Sequence, residues 1–285
     1  MVLFPNCKIN IGLNIVNKRQ DGFHDLETIF YPVKQLHDVL EAVRTTDDGQ
    51  QATVNFVATG IDIPGNSSSN LCIKAYQLLK KDFPDLPTIQ MHLHKIIPMG
   101  AGLGGGSADG AFTLLLLNDK FNLQLSQQQL IDYALQLGSD CPFFVYNQPC
   151  FAAGRGEKLE PIPLDLSSYS IVLINPNVHV NTGWAFSQIT PTQPNSSLKD
   201  LIQQPIETWK HSIFNDFEPA ITKAHPIIGQ IKEKLYAGGA VYSSMSGSGS
   251  TVFGIFEKNH LPNKELFPAF GEWHVDLNIS VLPFY

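Results

Sequence analysis

Cysteine is scarce in this chain, and the positions of the few cysteines exclude two common kinds of small scaffold. Four occur among 285 residues, at Cys7, Cys72, Cys141 and Cys150, and no two of them form a Cys-x-x-Cys pair. Disulfide-stabilised domains are small and dense in cysteine, and zinc sites space their ligands closely, so neither is expected here. We predict four reduced thiols in a cytoplasmic protein.

Long apolar runs and basic clusters are also missing. The longest apolar candidate covers only residues 112–117, whereas a membrane-spanning helix needs about 18. Residues 1–10 do not combine a basic stretch with an apolar run, so no signal peptide is expected. The formal net charge is −7, and no Lys/Arg cluster opposes it. The composition therefore predicts a soluble protein that binds neither membranes nor nucleic acid.

The spacing of apolar residues predicts an α+β protein with two domains. Strands are expected at 8–16, 26–33, 52–59, 88–97 and 170–174, and helices at 70–82, 108–118, 126–137 and 226–236. These elements interleave without regular βαβ spacing, which favours α+β over a doubly wound sheet. Glycine and proline become frequent near residue 155, so we divide the chain into domains 1–158 and 159–285.

A glycine-rich segment at residues 100–107 is the strongest local signal. Five glycines and Ser107 lie between a predicted strand and a predicted helix, and the first turn of a helix attracts anions through its N–H groups. No Gly-Lys-Ser/Thr ends the segment, so it is not a Walker A loop. A dinucleotide fingerprint fits only if it is forced onto the glycines. The segment therefore predicts phosphate binding, with a plain tight turn as the alternative.

Residues 98–108 resemble the phosphate-binding motif of the GHMP kinases, which include galactokinase, homoserine kinase and mevalonate kinase. Two further motifs of that family, at 8–13 and 246–253, occur in the right order. The resemblance implies an N-terminal ribosomal-protein-S5-like domain and a C-terminal ferredoxin-like α/β sandwich. It also implies an ATP-dependent kinase that uses Mg²⁺. One departure is Gly110, where alanine is usual; we expect tolerance or a close packing contact.

Three shorter segments narrow the resemblance to one branch of the family: 21–24, 138–144 and Thr182-x-x-x-Phe186. The substrate implied for that branch is a small molecule, cytidine diphosphate-linked methylerythritol. The implied reaction phosphorylates its C2 hydroxyl during non-mevalonate isoprenoid (terpenoid) synthesis. We expect a monomer or a weak homodimer. The rival interpretations are another GHMP kinase, of the homoserine or mevalonate type, and a non-catalytic binding protein of the same fold.

The resemblance implies a set of ATP-binding residues. They are Pro98, Met99, Gly100, Ala101, Gly102, Leu103, Gly104, Gly105, Gly106, Ser107, Ala108 and, around the adenine, Asn70, Leu71 and Lys95. Ser107 is also the candidate ligand for Mg²⁺, although it could instead cap the helix. Asn70 has an alternative role as a helix N-cap, and Lys95 could simply flank a strand.

Lys8 and Asp140 are the catalytic candidates. Asp140 would accept the proton of the substrate hydroxyl, and the resemblance pairs it with Lys8, which would offset charge on the transferring phosphoryl group. From the residues alone, Asp140 could be a turn or helix cap before Pro142, and Lys8 an edge-strand lysine that reaches solvent. Asn10 shares a strand face with Lys8 and could bind the substrate.

The remaining substrate candidates are aromatic or lie near aromatic residues. Phe23 and Phe186 would hold a cytosine ring between them, His24 would hydrogen-bond the edge of that base, and Thr182 would contact the same substrate. The alternative for Phe23 and His24 is core packing beside a surface histidine.

Overall fold

The computed structural model describes residues 1–45, 53–258, 260 and 271–276. The chain forms two compact units, and each is assembled from separate stretches of sequence. The first unit contains residues 1–7, 37–99 and 104–148; the second contains 8–36, 100–103 and the chain from 149 onward. The glycine-rich segment therefore begins in the second unit and ends in the first.

Strands and helices alternate irregularly along the chain, as expected for an α+β protein. The strands are β1 (Val2–Leu3), β2 (Asn6–Lys18), β3 (His24–His37), β4 (Val39–Arg44), β5 (Val54–Gly60), β6 (Ile89–Lys95), β7 (Cys150–Gly154), β8 (Lys158–Pro161), β9 (Tyr169–Asn175), β10 (Tyr242–Met245), β11 (Val252–Glu257) and β12 (Gly271–Asp276). The α-helices are α1 (Leu71–Asp82), α2 (Gly105–Lys120), α3 (Gln127–Leu137), α4 (Cys141–Tyr146), α5 (Thr182–Ser187), α6 (Leu198–Leu201), α7 (Ile206–Ser212), α8 (Glu218–Ala224) and α9 (Pro226–Ala237).

The first unit is built on a four-stranded sheet with the order β1-β4-β6-β5, in which β5 and β6 are parallel. The side chains of β6 alternate between buried and more exposed positions, with Ile89, Met91 and Leu93 fully buried. This is the two-residue period that the sequence shows. The helices α1 to α4 belong to the same unit.

Helix α1 packs closely against α2 at Gly110. A β-carbon at Gly110 would lie 2.9 Å from the Cβ of Leu71, so only glycine allows this approach of the two helices. The close packing contact expected at this position is thereby confirmed. Within the described part of the chain, no helix has the length and apolar character required to cross a bilayer.

The second unit contains two sheets, with the orders β2-β3-β7-β8 and β10-β11-β9-β12. Leu13 and Ile15 of β2 share one buried cluster with Val172 and Ile174 of β9. The same cluster includes Ile228, Ile231 and Leu235 of α9. Burial of these side chains away from water is the main favourable contribution to the folding of this unit.

The long elements match the sequence predictions, as do the short strands β10 and β11, for which residues 238–255 predict a strand, a turn and a strand, whereas the short helices were missed. The structure confirms strands in the expected regions at β2, β3, β5, β6 and β9, and helices at α1, α2, α3 and α9. Helices α4 to α8 have four to seven residues, too few to display a helical period. A domain boundary at residue 158 stays a prediction; the compact units are divided differently, because β3 pairs with β7 and β7 with β8.

Candidate active site

The turn between β10 and β11 holds the glycine-rich loop by hydrogen bonds. Ser246 Oγ donates to the carbonyl oxygen of Gly102 at 2.8 Å, and the backbone N–H of Thr251 donates to the carbonyl oxygen of Ala101 at 3.1 Å. Gly102 has φ +79°, and a β-carbon there would lie 2.0 Å from the carbonyl oxygen of Ser246. These hydrogen bonds hold the two glycine-rich motifs together. Only glycine fits at position 102, because a side chain there would collide with the carbonyl group of Ser246.

Helix α2 begins directly after the loop, and its N-terminus is the predicted anion site. Gly104 is the N-cap and makes no side-chain capping hydrogen bond. The 16-residue helix starts with Gly105, Gly106 and Ser107, whose backbone N–H groups have no partner within the helix. The helix dipole adds a partial positive charge at the same end. This combination suits a phosphate group.

Ser107 and Asp140 both lie next to the buried thiol of Cys141. Burial raises the pKa of Cys141 to about 12, the hydrogen bond with Ser107 opposes this rise, and the negative charge of Asp140 adds to it. Asp140 is the N-cap residue of α4, but its side chain makes no capping hydrogen bond. The carboxylate therefore does not cap α4, which was one part of the alternative; a turn role and a catalytic role for Asp140 both stay predictions.

Lys8 lies in the interior of the second unit with its ammonium group bound to Asn10. The Nζ of Lys8 donates to Asn10 Oδ1 at 2.5 Å and lies 5.0 Å from the ring centroid of Phe30. Asn10 Nδ2 donates in turn to Thr28 Oγ1 at 3.0 Å. Lys8 is only 3% exposed, so the solvent-facing alternative is excluded. Lys8 and Asn10 lie on one strand face, as predicted.

Lys95 is buried between two carboxylates under the start of α2. Its Nζ lies 2.5 Å from Asp38 Oδ2 and 2.6 Å from Asp109 Oδ2. A β-carbon at Gly105 would lie 3.0 Å from the same Nζ. Burial lowers the pKa of Lys95, but the two carboxylates outweigh this effect and raise it. Adenine binding by Lys95 stays a prediction; its ammonium holds α2 to the β3–β4 connection and to β6.

One ammonium cannot neutralise both carboxylates of this triad. Burial raises the pKa of Asp109 to about 8, and the charge of Asp38 adds to the rise against the attraction of Lys95. Asp109 Oδ1 is buried and, among the described residues, has no hydrogen-bond partner. We infer that Asp109 carries a proton over much of the neutral pH range.

The predicted base-binding residues all belong to the second unit, where His24 contacts Phe186 and Phe23 contacts Arg155. The ring of His24 stacks on Phe186 with centroids 4.9 Å apart and planes 20° apart, and Phe186 meets Phe217 edge-on. Burial and the charge of Lys18 lower the pKa of His24, so its imidazole is neutral at pH 7. Phe23 is 53% exposed. The hydroxyl of Thr182 lies 3.1 Å from that of Ser248, in the turn that supports the glycine-rich loop.

Two of the predicted adenine residues lie at the start of α1. Asn70 is its N-cap, because Asn70 Oδ1 accepts from the backbone N–H of Cys72 at 2.8 Å. Leu71 is the first helical residue. The capping role anticipated for Asn70 is therefore confirmed, and adenine binding by the pair stays a prediction.

In each unit, residues that contact the predicted ones were not found from the sequence. Asp38 and Asp109 complete the Lys95 triad, Arg155 lies on the ring of Phe23, and Asn215 supports the β10–β11 turn. Asn215 Nδ2 donates to the carbonyl oxygens of Met245 at 2.7 Å and Gly247 at 2.8 Å. Many residues separate these side chains from their partners along the sequence, so the spacing of residues does not indicate that they meet. Asp109 does lie within the helix predicted after the loop.

Comparison with known families gives matches in both halves of the chain. Residues 70–148 match the family model described as GHMP kinases N terminal domain, and residues 197–266 match the one described as GHMP kinases C terminal. A Bacteroides fragilis protein named 4-diphosphocytidyl-2-C-methyl-D-erythritol kinase is 49% identical over 94% of this chain and 97% of its own length. A Bacteroides thetaiotaomicron protein of the same name is 52% identical over 90% and 92%.

Solved structures show the same fold. A crystal structure of 4-(cytidine 5'-diphospho)-2C-methyl-D-erythritol kinase covers 100% of both chains with a TM-score of 0.80 and 26% identity. A homoserine kinase from Cytophaga hutchinsonii has a TM-score of 0.65 over 92% of this chain and 87% of its own, at 18% identity. The second similarity shows the fold alone.

Proposed function

Because the chain belongs to the GHMP kinase family, we propose that it phosphorylates 4-diphosphocytidyl-2-C-methyl-D-erythritol. The γ-phosphoryl group of ATP passes to the C2 hydroxyl, giving the 2-phosphate and ADP as a step of isoprenoid precursor synthesis. Relatives that carry this name are 46–52% identical over at least 90% of the chain. The observation that carries the substrate assignment is the neutral His24 ring stacked on Phe186.

A nucleotide base needs both an aromatic face and a hydrogen-bonding edge, and this cluster provides them. A neutral imidazole has one N–H donor and one acceptor nitrogen, which complement the edge of a cytosine. The exposed ring of Phe23 adds a second aromatic surface. A base-free substrate such as homoserine or mevalonate would give these three side chains no role.

The glycine-rich loop and the start of α2 are proposed to bind the phosphates of ATP. Support comes from the helix N-terminus at Gly105–Ser107 and from the hydrogen bonds that fix residues 101 and 102. The Ser107 hydroxyl fits as an oxygen ligand of a Mg²⁺ ion that arrives with the nucleotide, because Mg²⁺ prefers oxygen donors and retains several waters. When bound, Mg²⁺ offsets the negative charge of the phosphates.

Lys8 and Asp140 are proposed to act on the substrate hydroxyl. Asp140 accepts its proton, and Lys8 stabilises the negative charge that develops during transfer. Two observations support these roles: Asn10 fixes the ammonium of the buried Lys8, and the Asp140 carboxylate is not used as a helix cap. Positioning and charge stabilisation account for most catalysis of this kind.

The test is a coupled assay of ADP release with Mg-ATP and four alcohols. These are 4-diphosphocytidyl-2-C-methyl-D-erythritol, its uridine analogue, homoserine and mevalonate. We expect turnover with the cytidyl compound alone, because His24 distinguishes the base. Turnover with homoserine or mevalonate would keep the kinase assignment and overturn the substrate. Lack of turnover with all four would favour a non-catalytic protein of this fold.

A further inference from the structure

Arg155 lies on the exposed aromatic ring of Phe23. The guanidinium carbon Cζ is 4.9 Å from the ring centroid, within the range of a cation–π interaction. Phe23 is more than half exposed, whereas Arg155 is only partly exposed. A charged, partly buried side chain therefore covers part of a ring that the proposed function assigns to base binding.

The position of Arg155 is set by the sheet of the second unit. Strand β7 pairs with β3 in a register that places Gly154 opposite Leu26, so Arg155 follows the end of the ladder beside the residues that precede Leu26. Glu157 closes the turn, because its carboxylate accepts a 2.5 Å hydrogen bond from the backbone N–H of Arg155. The contact with Phe23 thus follows from strand register and a closed turn.

Among the described residues, the guanidinium of Arg155 forms no ion pair, although the carboxylates of Glu157 and Asp21 bind the backbone N–H groups of Arg155 and Phe23. The chain has three arginines, Arg19, Arg44 and Arg155. Arg19 forms ion pairs with Asp21 at 3.1 Å and Asp25 at 3.4 Å, whereas none of the described carboxylates lies within ion-pair distance of Arg155. A guanidinium keeps its charge at any physiological pH and directs its N–H groups outward in its own plane. Stacking on a ring occupies the face of the guanidinium and leaves its edge, which carries the N–H donors, for an anion.

We propose that Arg155 binds the diphosphate group of the nucleotide-linked substrate, with Phe23 holding its guanidinium in place. The assignment rests on the proposed function, because it takes the substrate to be a cytidine diphosphate derivative. Arginine matches phosphate oxygens with two parallel N–H donors. His24 is neutral, so it contributes no charge to this part of the site. The charge of Lys18 already acts on His24; what Arg155 adds is a planar guanidinium, which can match phosphate oxygens with two donors.

Two ligands separate phosphate binding from base binding. Cytidine carries the base and ribose, and cytidine diphosphate adds only the phosphates. Binding of each would be measured by calorimetry with the wild-type protein, Arg155→Met and Arg155→Lys. Methionine keeps an unbranched apolar chain that can cover Phe23, and lysine keeps the charge without the planar fork. Circular dichroism would confirm that the variants fold.

We expect Arg155→Met to weaken cytidine diphosphate binding about 10-fold or more, the usual size of a charge-assisted hydrogen bond. Cytidine binding should change less than about 2-fold, because Phe23 and His24 remain. The affinity of Arg155→Lys for cytidine diphosphate should lie between those of the wild type and Arg155→Met.

In Arg155→Met, the KM for the cytidyl substrate should rise in parallel with the loss of affinity, while the KM for ATP stays constant. Raising the salt concentration should weaken cytidine diphosphate binding less in Arg155→Met than in the wild type. Arg44→Met, at the end of β4, is the control for loss of one positive charge.

Three outcomes would overturn the assignment. Unchanged or tighter cytidine diphosphate binding in Arg155→Met would show that the guanidinium does not contact phosphate. An equal loss for both ligands would show that Arg155 only holds the ring of Phe23. If the wild-type protein bound neither ligand and did not turn over the cytidyl substrate, the proposed function would fail, and this assignment with it.

Discussion

Ser246 Oγ donates a 2.8 Å hydrogen bond to the carbonyl oxygen of Gly102, across 144 positions of the sequence. The same hydroxyl accepts from the backbone N–H of Asn10 at 3.1 Å, the residue that binds the Lys8 ammonium. One serine therefore connects the glycine-rich loop to the strand of the catalytic lysine candidate. The three family motifs meet at this point within the second unit.

Replacing Ser246 with alanine should weaken ATP binding more than it slows phosphoryl transfer. Loss of the bonds to Gly102 and Asn10 lets the loop relax, and we expect the KM for ATP to rise about 5-fold, equivalent to about 1 kcal/mol. Steady-state kinetics with varied ATP measure this. Ser243→Ala is the matched control, because Ser243 is equally buried but its hydroxyl donates to the carbonyl oxygen of Phe253 inside the sheet. A similar rise in KM for both variants would point to general destabilisation.

Asp140→Asn should reduce kcat by about 100-fold or more, the usual contribution of a general base. Asparagine keeps the shape of the side chain but cannot accept the hydroxyl proton. The KM for ATP should change little, since the anion site at α2 does not need this carboxylate. Asp119→Asn, an exposed acidic residue near the end of α2, is the control. Full turnover by Asp140→Asn would remove the proposed proton acceptor.

His24 should give the KM of the cytidyl substrate a pH dependence that the KM of ATP does not share. Burial and Lys18 lower the pKa of His24, so the neutral imidazole is lost only as pH falls below the usual histidine range near 6.5. We expect a constant KM between pH 8 and 7 and a rise in more acidic solution. In His24→Asn the overall KM should be higher and this rise absent. An inflection above pH 7 would be inconsistent with a lowered pKa.

The unfolding free energy of Asp109→Asn should increase relative to that of the wild type as pH rises. The folded-state pKa of Asp109 is raised, so the wild type is most stable where this carboxyl is protonated. It loses that stability as pH rises through the folded pKa. The difference in unfolding free energy should change by up to about 1.4 kcal/mol per pH unit below about pH 8.

Urea unfolding of the wild type and Asp109→Asn at pH 6, 7, 8 and 9 measures this dependence. Asp132→Asn, an exposed position on α3, serves as the comparison. A difference between wild type and Asp109→Asn that does not vary with pH would mean that Asp109 is ionised throughout.

The sequence predicted the long elements and the phosphate loop because their signals are local. The two-residue period of β6, the helix start at Asn70 and the glycines from 100 to 106 can each be interpreted within a few residues. Family motifs extended this to Lys8 and Asp140: burial excludes a solvent-facing role for Lys8, and the Asp140 side chain does not cap α4. The motifs predicted a base between Phe23 and Phe186 with His24 at its edge, which stays a prediction, and they did not anticipate the stacking of His24 on Phe186.

What the sequence determined by itself was the α+β class and the kinase family, and it also predicted an anion site at the start of α2. Each rests on periods or short motifs whose residues are neighbours along the chain, where backbone geometry fixes their spacing. Only the tertiary structure decided that Ser246 supports Gly102, that Asp38 and Asp109 share Lys95, and that Arg155 covers Phe23. Those contacts join distant segments, and their partners are chosen by strand register and burial, which no short pattern encodes.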